Sequence, residues 1–96
     1  MKFELSADGS TAPFDFRGQG TVSATGAFSG DVITIEASMD GGSTFFALTD
    51  SGGADGTFTA NGSLNIDHAK CQLRFTMSDT SGATITIEFE SFSNQG

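Results

Sequence analysis

The sequence predicts an all-β domain, an antiparallel β-sandwich of Ig-like or jelly-roll-like topology with about seven to nine short strands. Three segments alternate apolar and polar residues strictly, which is the period of a half-buried strand. Turn chemistry rich in Gly, Asn, Asp and Ser recurs roughly every eight to twelve residues between the strands. No segment spaces its apolar residues by three and four over a helical length, so a helical reading finds no support.

In chain order, residues 2–6, 13–17 and 20–25 are weakly patterned strands whose Thr and Phe content suits a pleated surface. Residues 32–39 are clearer: Ile33, Ile35, Ala37 and Met39 fall on one face, Thr34, Glu36 and Ser38 on the other. Weaker strands follow at 44–49, 56–60 and 63–66. Residues 70–77 place Cys71, Leu73, Phe75 and Met77 inward, and residues 83–90 repeat the pattern through Ile85, Ile87 and Phe89. Asp40-Gly41-Gly42 is expected to close a hairpin onto 44–49, and Asn61-Gly62, the pair favoured in type I′ turns, a hairpin between 57–60 and 63–66. Residues 1–18 read as an N-terminal arm or edge strand, 19–90 as the sandwich, and 91–96 as a C-terminal tail.

A length of 96 residues suits one modest core. The aromatic choice is unusual: 10 Phe with neither Trp nor Tyr, so that Phe14, Phe16, Phe28, Phe58, Phe75, Phe89 and one of Phe45 and Phe46 can supply buried rings with no polar atom to satisfy. Twelve acidic against 4 basic residues give a net charge of −8, which repels phosphate backbones and anionic membranes and favours solubility. The single Cys71 permits no intrachain disulfide and points to a reducing compartment during synthesis. No apolar run has signal-peptide or membrane-spanning length, so neither standard export nor a membrane helix is expected.

Candidate chemistry is sparse. The single His68 sits in Asp67-His68-Ala69-Lys70, expected as a turn, and Cys71 shares the inward parity of Leu73, so the two are expected to face apart. Asp50 and Asp55 bracket the one loop where two carboxylates can converge as for calcium, although it lacks EF-hand spacing and reads as a solvated acidic loop. One His and one Cys are too few for a transition metal, and no metal, cofactor or catalytic residue is assigned. Phe45 and Phe46 are adjacent in a strand and face opposite ways, so only one of them can enter the core.

The run from Gly26 to Phe45, Gly-Ala-Phe-Ser-Gly-Asp-Val-Ile-Thr-Ile-Glu-Ala-Ser-Met-Asp-Gly-Gly-Ser-Thr-Phe, is similar to small virion proteins of tailed bacteriophages. Their pattern is Gly-aromatic-Gly, an alternating strand, then Ser-x-Asp-Gly-Gly-Thr and an aromatic residue. Residues 56–62, Gly-Thr-Phe-Thr-Ala-Asn-Gly, followed by Lys70-Cys71-Gln72-Leu73-Arg74-Phe75, resemble its later half. Phe45 stands where the family carries Trp.

The resemblance implies a non-enzymatic capsid decoration or cement protein that binds and stabilises the shell of major capsid protein, or else a head–tail or tail component. It implies a homo-oligomer at the capsid surface of the virion, made in the bacterial cytoplasm, with the major capsid protein or another virion protein as partner and neither nucleic acid nor membrane. Contact residues are then expected among Phe14, Phe16 and Arg17 of the arm and Phe45 and Phe46 after the hairpin, with the core as the other place for those rings. A ligand-binding or carbohydrate-binding sandwich module is the rival reading, and the missing Trp and Tyr count against it.

Overall fold

The computed structural model describes residues 1–91, and every regular element among them is a β-strand. The strands are β1 (Lys2–Leu5), β2 (Gly9–Ser10), β3 (Phe14–Gly26), β4 (Val32–Ser38), β5 (Phe46–Ala47), β6 (Thr57–Phe58), β7 (Gly62–Ser78) and β8 (Ile85–Ser91). All pairings are antiparallel, and they join into a single sheet of order β1-β8-β3-β7-β4-β5, with β2 on β7 and β6 on β4 beside that path. The all-β class is as expected. The two layers of the expected sandwich do not appear as separate ladders: all strands belong to one hydrogen-bonded sheet, which curls on itself. The rings of Phe3 on β1 and Phe75 on β7 are 5.3 Å apart, although β8 and β3 lie between those strands. In a flat sheet that separation would be about 14 Å, so the sheet closes far enough to bring its ends over a common core.

Nor are the strands uniformly short. β3 runs for 13 residues and β7 for 17, each merging two segments that the alternation divides. The reason is a β-bulge: Phe16 pairs with Cys71 and Gly18 with His68, so β7 spends one more residue than β3 across that step. The insertion reverses parity, which is why Ile66 and Cys71 both face inward although an odd number of positions separates them. Asp67 and His68 are consequently in mid-strand, opposite Gln19 and Gly18, and not in a turn.

Further corrections follow from the ladder. Asn61-Gly62 closes no type I′ hairpin: β6 pairs with β4, while Gly62 opens β7 opposite Ala24 and has no positive φ. Met39 lies beyond the end of β4 and is 59% exposed, because the chain turns at the buried Ser38. The connection from β4 to β5 does form a hairpin, pairing Glu36 with Ala47 and Ala37 with Phe46, but across a loop longer than Asp40-Gly41-Gly42. Residues 1–18 pair within the chain, β1 at the sheet edge against β8, β2 against β7, and Phe14 to Phe16 within β3. Of the expected tail, Ser91 ends β8, and 92–96 lie outside the described residues.

The inward faces of both halves of the sheet form one cluster, including Val22, Ile33, Ile35, Leu73, Phe75, Ile85 and Ile87, each with no exposed surface. Phe75 is its centre, touched by the rings of Phe3 and Phe14, and its truncation to Ala is worth about 3–5 kcal/mol. At the β5–β6 side a ring of three hydrogen bonds replaces a regular ladder. Ile35 N–H donates to Gly56 O at 2.8 Å, Gly56 N–H to Leu48 O at 2.8 Å, and Leu48 N–H to Ile35 O at 2.9 Å. A Cβ on Gly56 would lie 2.5 Å from Leu48 O, so the ring closes only on glycine.

Gly56→Ala is therefore expected to cost about 2 kcal/mol and lower Tm by roughly 10 °C, read by thermal melting. Gly62→Ala, where a Cβ would meet nothing closer than 4.0 Å, is expected to stay within about 0.5 kcal/mol of the parent. A large loss at Gly62 would restore the type I′ hairpin.

Candidate functional site

The bulge brings several unusual surface features together. Two hollows of about 250 and 210 Å³ flank it. The first is lined by Asp15, Phe16, Arg17 and Lys70; the second shares Asp15 and Lys70 and adds Ser38, Met39, Gly41, Cys71 and Gln72. An extra residue bends a strand and re-aims its side chains, and Gly18, at φ 95°, absorbs the bend on the β3 side. Arg17 and Lys70 are exposed here, half of the 4 cations in a chain of net charge −8. Among the described residues neither has a carboxylate at ion-pair distance, whereas Arg74 Nε binds Glu36 Oε1 at 2.7 Å.

The five residues expected to meet a partner divide between core and surface. Phe16 is buried with its ring edge-on to Phe89 at 5.4 Å, and Phe14 stacks on Phe3 at 5.6 Å while contacting Phe75 and Phe89, so both belong to the core. Arg17 is exposed on the bulge. Phe45, just before β5, and Phe46, its first residue, face opposite ways. Phe45 takes the outer face, where the Arg74 guanidinium lies 3.8 Å above its ring, a cation–π contact held in place by the Glu36 ion pair. Phe46 takes the core side but sits at the rim, 42% exposed, with its ring 6.2 Å from His68. The rim residue Met39 had no signal in the sequence, because the alternation of β4 continues one residue past the strand.

The thiol of Cys71 is buried, and loss of solvent raises its pKa above the ordinary value, the direction opposite to that of an activated cysteine. His68 Nδ1 lies 2.9 Å from the carbonyl of Ala69. Asp50 Oδ1 accepts from the amides of Gly52 and Ala54, both at 2.9 Å, so this carboxylate closes its own loop. Among the described residues no three His, Cys, Asp or Glu side chains converge as a metal site would require.

Two aspartates are held far more tightly. Asp31 is wholly buried and takes Ser81 N–H on Oδ2 at 2.8 Å and Ser29 N–H on Oδ1 at 2.8 Å, with the Ser81 hydroxyl on Oδ1 at 2.8 Å. These donors, the Ser81 amide foremost, outweigh desolvation and lower its pKa from 3.8 to about 2. Asp40 Oδ1 accepts from the Ser38 hydroxyl at 2.7 Å and from the amides of Thr44 at 2.9 Å and Ser43 at 3.1 Å, which bring it to about 2 as well. Both are structural: Asp31 ties the loop before β4 to the loop before β8, and Asp40 organises the β4–β5 turn.

Depressed folded-state values mean stability that is fully present above pH 3.8 and lost as the pH falls toward about 2. Urea denaturation across that window is expected to show a falling midpoint. Asp31→Asn is expected to be less stable at pH 7 and to show a shallower acid slope; an unchanged slope would remove Asp31 as the source.

No protein-family model, curated protein or solved structure matches this sequence. The resemblance to phage virion proteins expected from the sequence draws no support from these comparisons.

Proposed function

We infer that the chain is a non-enzymatic structural component of a bacteriophage particle, a capsid decoration protein that binds the major capsid protein through the bulge face. The observation that carries this reading is that two large exposed apolar side chains, Met39 and Phe46, each lie against a residue of the bulge region of β7. Met39, 59% exposed, lines the hollow with Lys70 and Gln72, and Phe46, 42% exposed, lies beside His68. Met1, elsewhere, is the third large exposed apolar residue among the described residues. An apolar patch rimmed by polar groups marks a contact surface, and aromatic, Met and Arg side chains are those enriched at interface centres. Arg17 and Lys70 give the bulge beside Met39 local positive charge on an acidic protein, which suits an acidic patch on the shell.

The reading is supported from the sequence side by the Gly26 to Phe45 run and its likeness to virion proteins. The rest of the surface serves other ends: the Asp31 and Asp40 carboxylates hold loops, and Phe45 is covered by Arg74.

Mass spectrometry of purified particles from the phage carrying this gene is expected to find the chain, and its absence there would end the reading. On particles stripped of it, Phe46→Ser and Met39→Gln are each expected to weaken rebinding by about tenfold with an unchanged melting curve. A Phe14→Leu control reports on the core and not on rebinding.

A further inference from the structure

The two ends of the sheet are built differently. At one end β5 is only two residues long, too short to template another strand. At the other, β1 is four residues long and, among the described residues, bonded on one side only, to β8. The direction of its free backbone groups follows from its first bonds. Met1 N donates to Phe89 O at 2.9 Å and Phe89 N to Met1 O at 2.8 Å, which makes Met1 and Phe89 a hydrogen-bonded pair. Antiparallel ladders alternate bonded and non-bonded pairs, so Phe3 and Leu5 also bond inward to β8. The amides and carbonyls of Lys2 and Glu4 then point to the open edge, and their side chains are exposed.

We propose that this edge is a homodimer interface, in which β1 pairs antiparallel with β1 of a second copy about a twofold axis through Phe3. In that register Lys2 of each copy stands opposite Glu4 of the other. They form a bonded pair, because both residues present their backbone groups to the edge. Two cross-strand ion pairs follow on the outer face. On the inner face Phe3 meets its own counterpart, and the exposed Met1 covers the partner's half-buried Leu5.

The neighbouring registers that keep outward groups paired fail on charge. One sets Lys2 against Lys2, the other Glu4 against Glu4, and like charges directly opposite are destabilising. The edge is thus self-complementary in one register, the condition for an isologous contact. A second copy is the occupant the edge selects, since a stranger would have to present the same reversed charges. With so few residues in contact the dimer is weak and strongly dependent on concentration.

The inference goes beyond the particle reading and does not need it. A chain that dimerises through β1 yet is absent from virions would overturn that reading and leave this one standing.

Sedimentation equilibrium of the full chain, carrying any tag at its C-terminus, from about 10 µM to about 1 mM is expected to show a monomer–dimer equilibrium. Lys2→Glu and Glu4→Lys are each expected to weaken it by about tenfold, because both ion pairs become repulsive. The double variant K2E/E4K, and an equimolar mixture of the two single variants, are expected to recover it. Hydrogen exchange of the parent chain is expected to slow at the Lys2 and Glu4 amides as concentration rises. A chain monomeric throughout, a swap that fails to restore association, or edge amides indifferent to concentration would overturn the proposal.

Discussion

The ladder between β3 and β7, bent once at its bulge, is the constraint on which the other strands depend. It extends from Phe14 opposite Leu73 to Ala24 opposite Gly62, and no other strand pair among the described residues is comparably long. Its upper part carries β4 on the far side of β7, and its lower part carries β8 on the far side of β3. Without the inserted residue in β7 the parity would run on unbroken, and either Ile66 or Cys71 to Met77 would face water. With it, both halves of each long strand present their apolar side chains to one core, and the bend starts the curl that brings Phe3 onto Phe75.

This constraint also explains what the sequence tells and what it hides. Strict alternation in 70–77 and 83–90 identifies strands and inward faces correctly, since Cys71, Leu73, Phe75, Met77, Ile85, Ile87 and Phe89 are all buried. Alternation cannot see across a bulge, because a parity reversal in one strand looks the same as the end of one strand and the start of another. Asp67-His68-Ala69 then reads as a turn. Asn61-Gly62 misleads for a related reason: a local turn preference yields to the register that β3 imposes on Gly62, while Asn61 Oδ1 instead accepts the Gly26 amide at 2.9 Å. At the bulge face, Arg17 and Phe46 were legible as exposed polar and adjacent aromatic positions. Met39 and Lys70 join them only through the fold.

Charge is distributed with the same economy. The carboxylates with the lowest pKa values lie in loops, where they satisfy amides that the sheet leaves unpaired. Asp31 and its partner Ser81 are 50 positions apart, so nothing local in the sequence marks the pair, whereas Asp40 before Gly41-Gly42 is visible as turn chemistry. Arg74 is neutralised by Glu36 and shields Phe45, which removes the outer face of β4 and β7 from consideration as an apolar contact. The remaining cations are therefore informative by position: Arg17 and Lys70 at the bulge, Lys2 on the open edge.

The edge is the β1 end of the strand order, and the bulge lies in the β3–β7 ladder. Pairing through β1 relates the bulge faces of the two copies by the twofold axis. A contact of that kind turns one weak surface into two linked ones, and the second binding event then proceeds at a high effective concentration. A short edge strand in an acidic protein is suited to this. It is too brief and too charged to recruit unrelated strands, so association stops at two copies: the twofold pairing consumes the edge, and β5 offers no other.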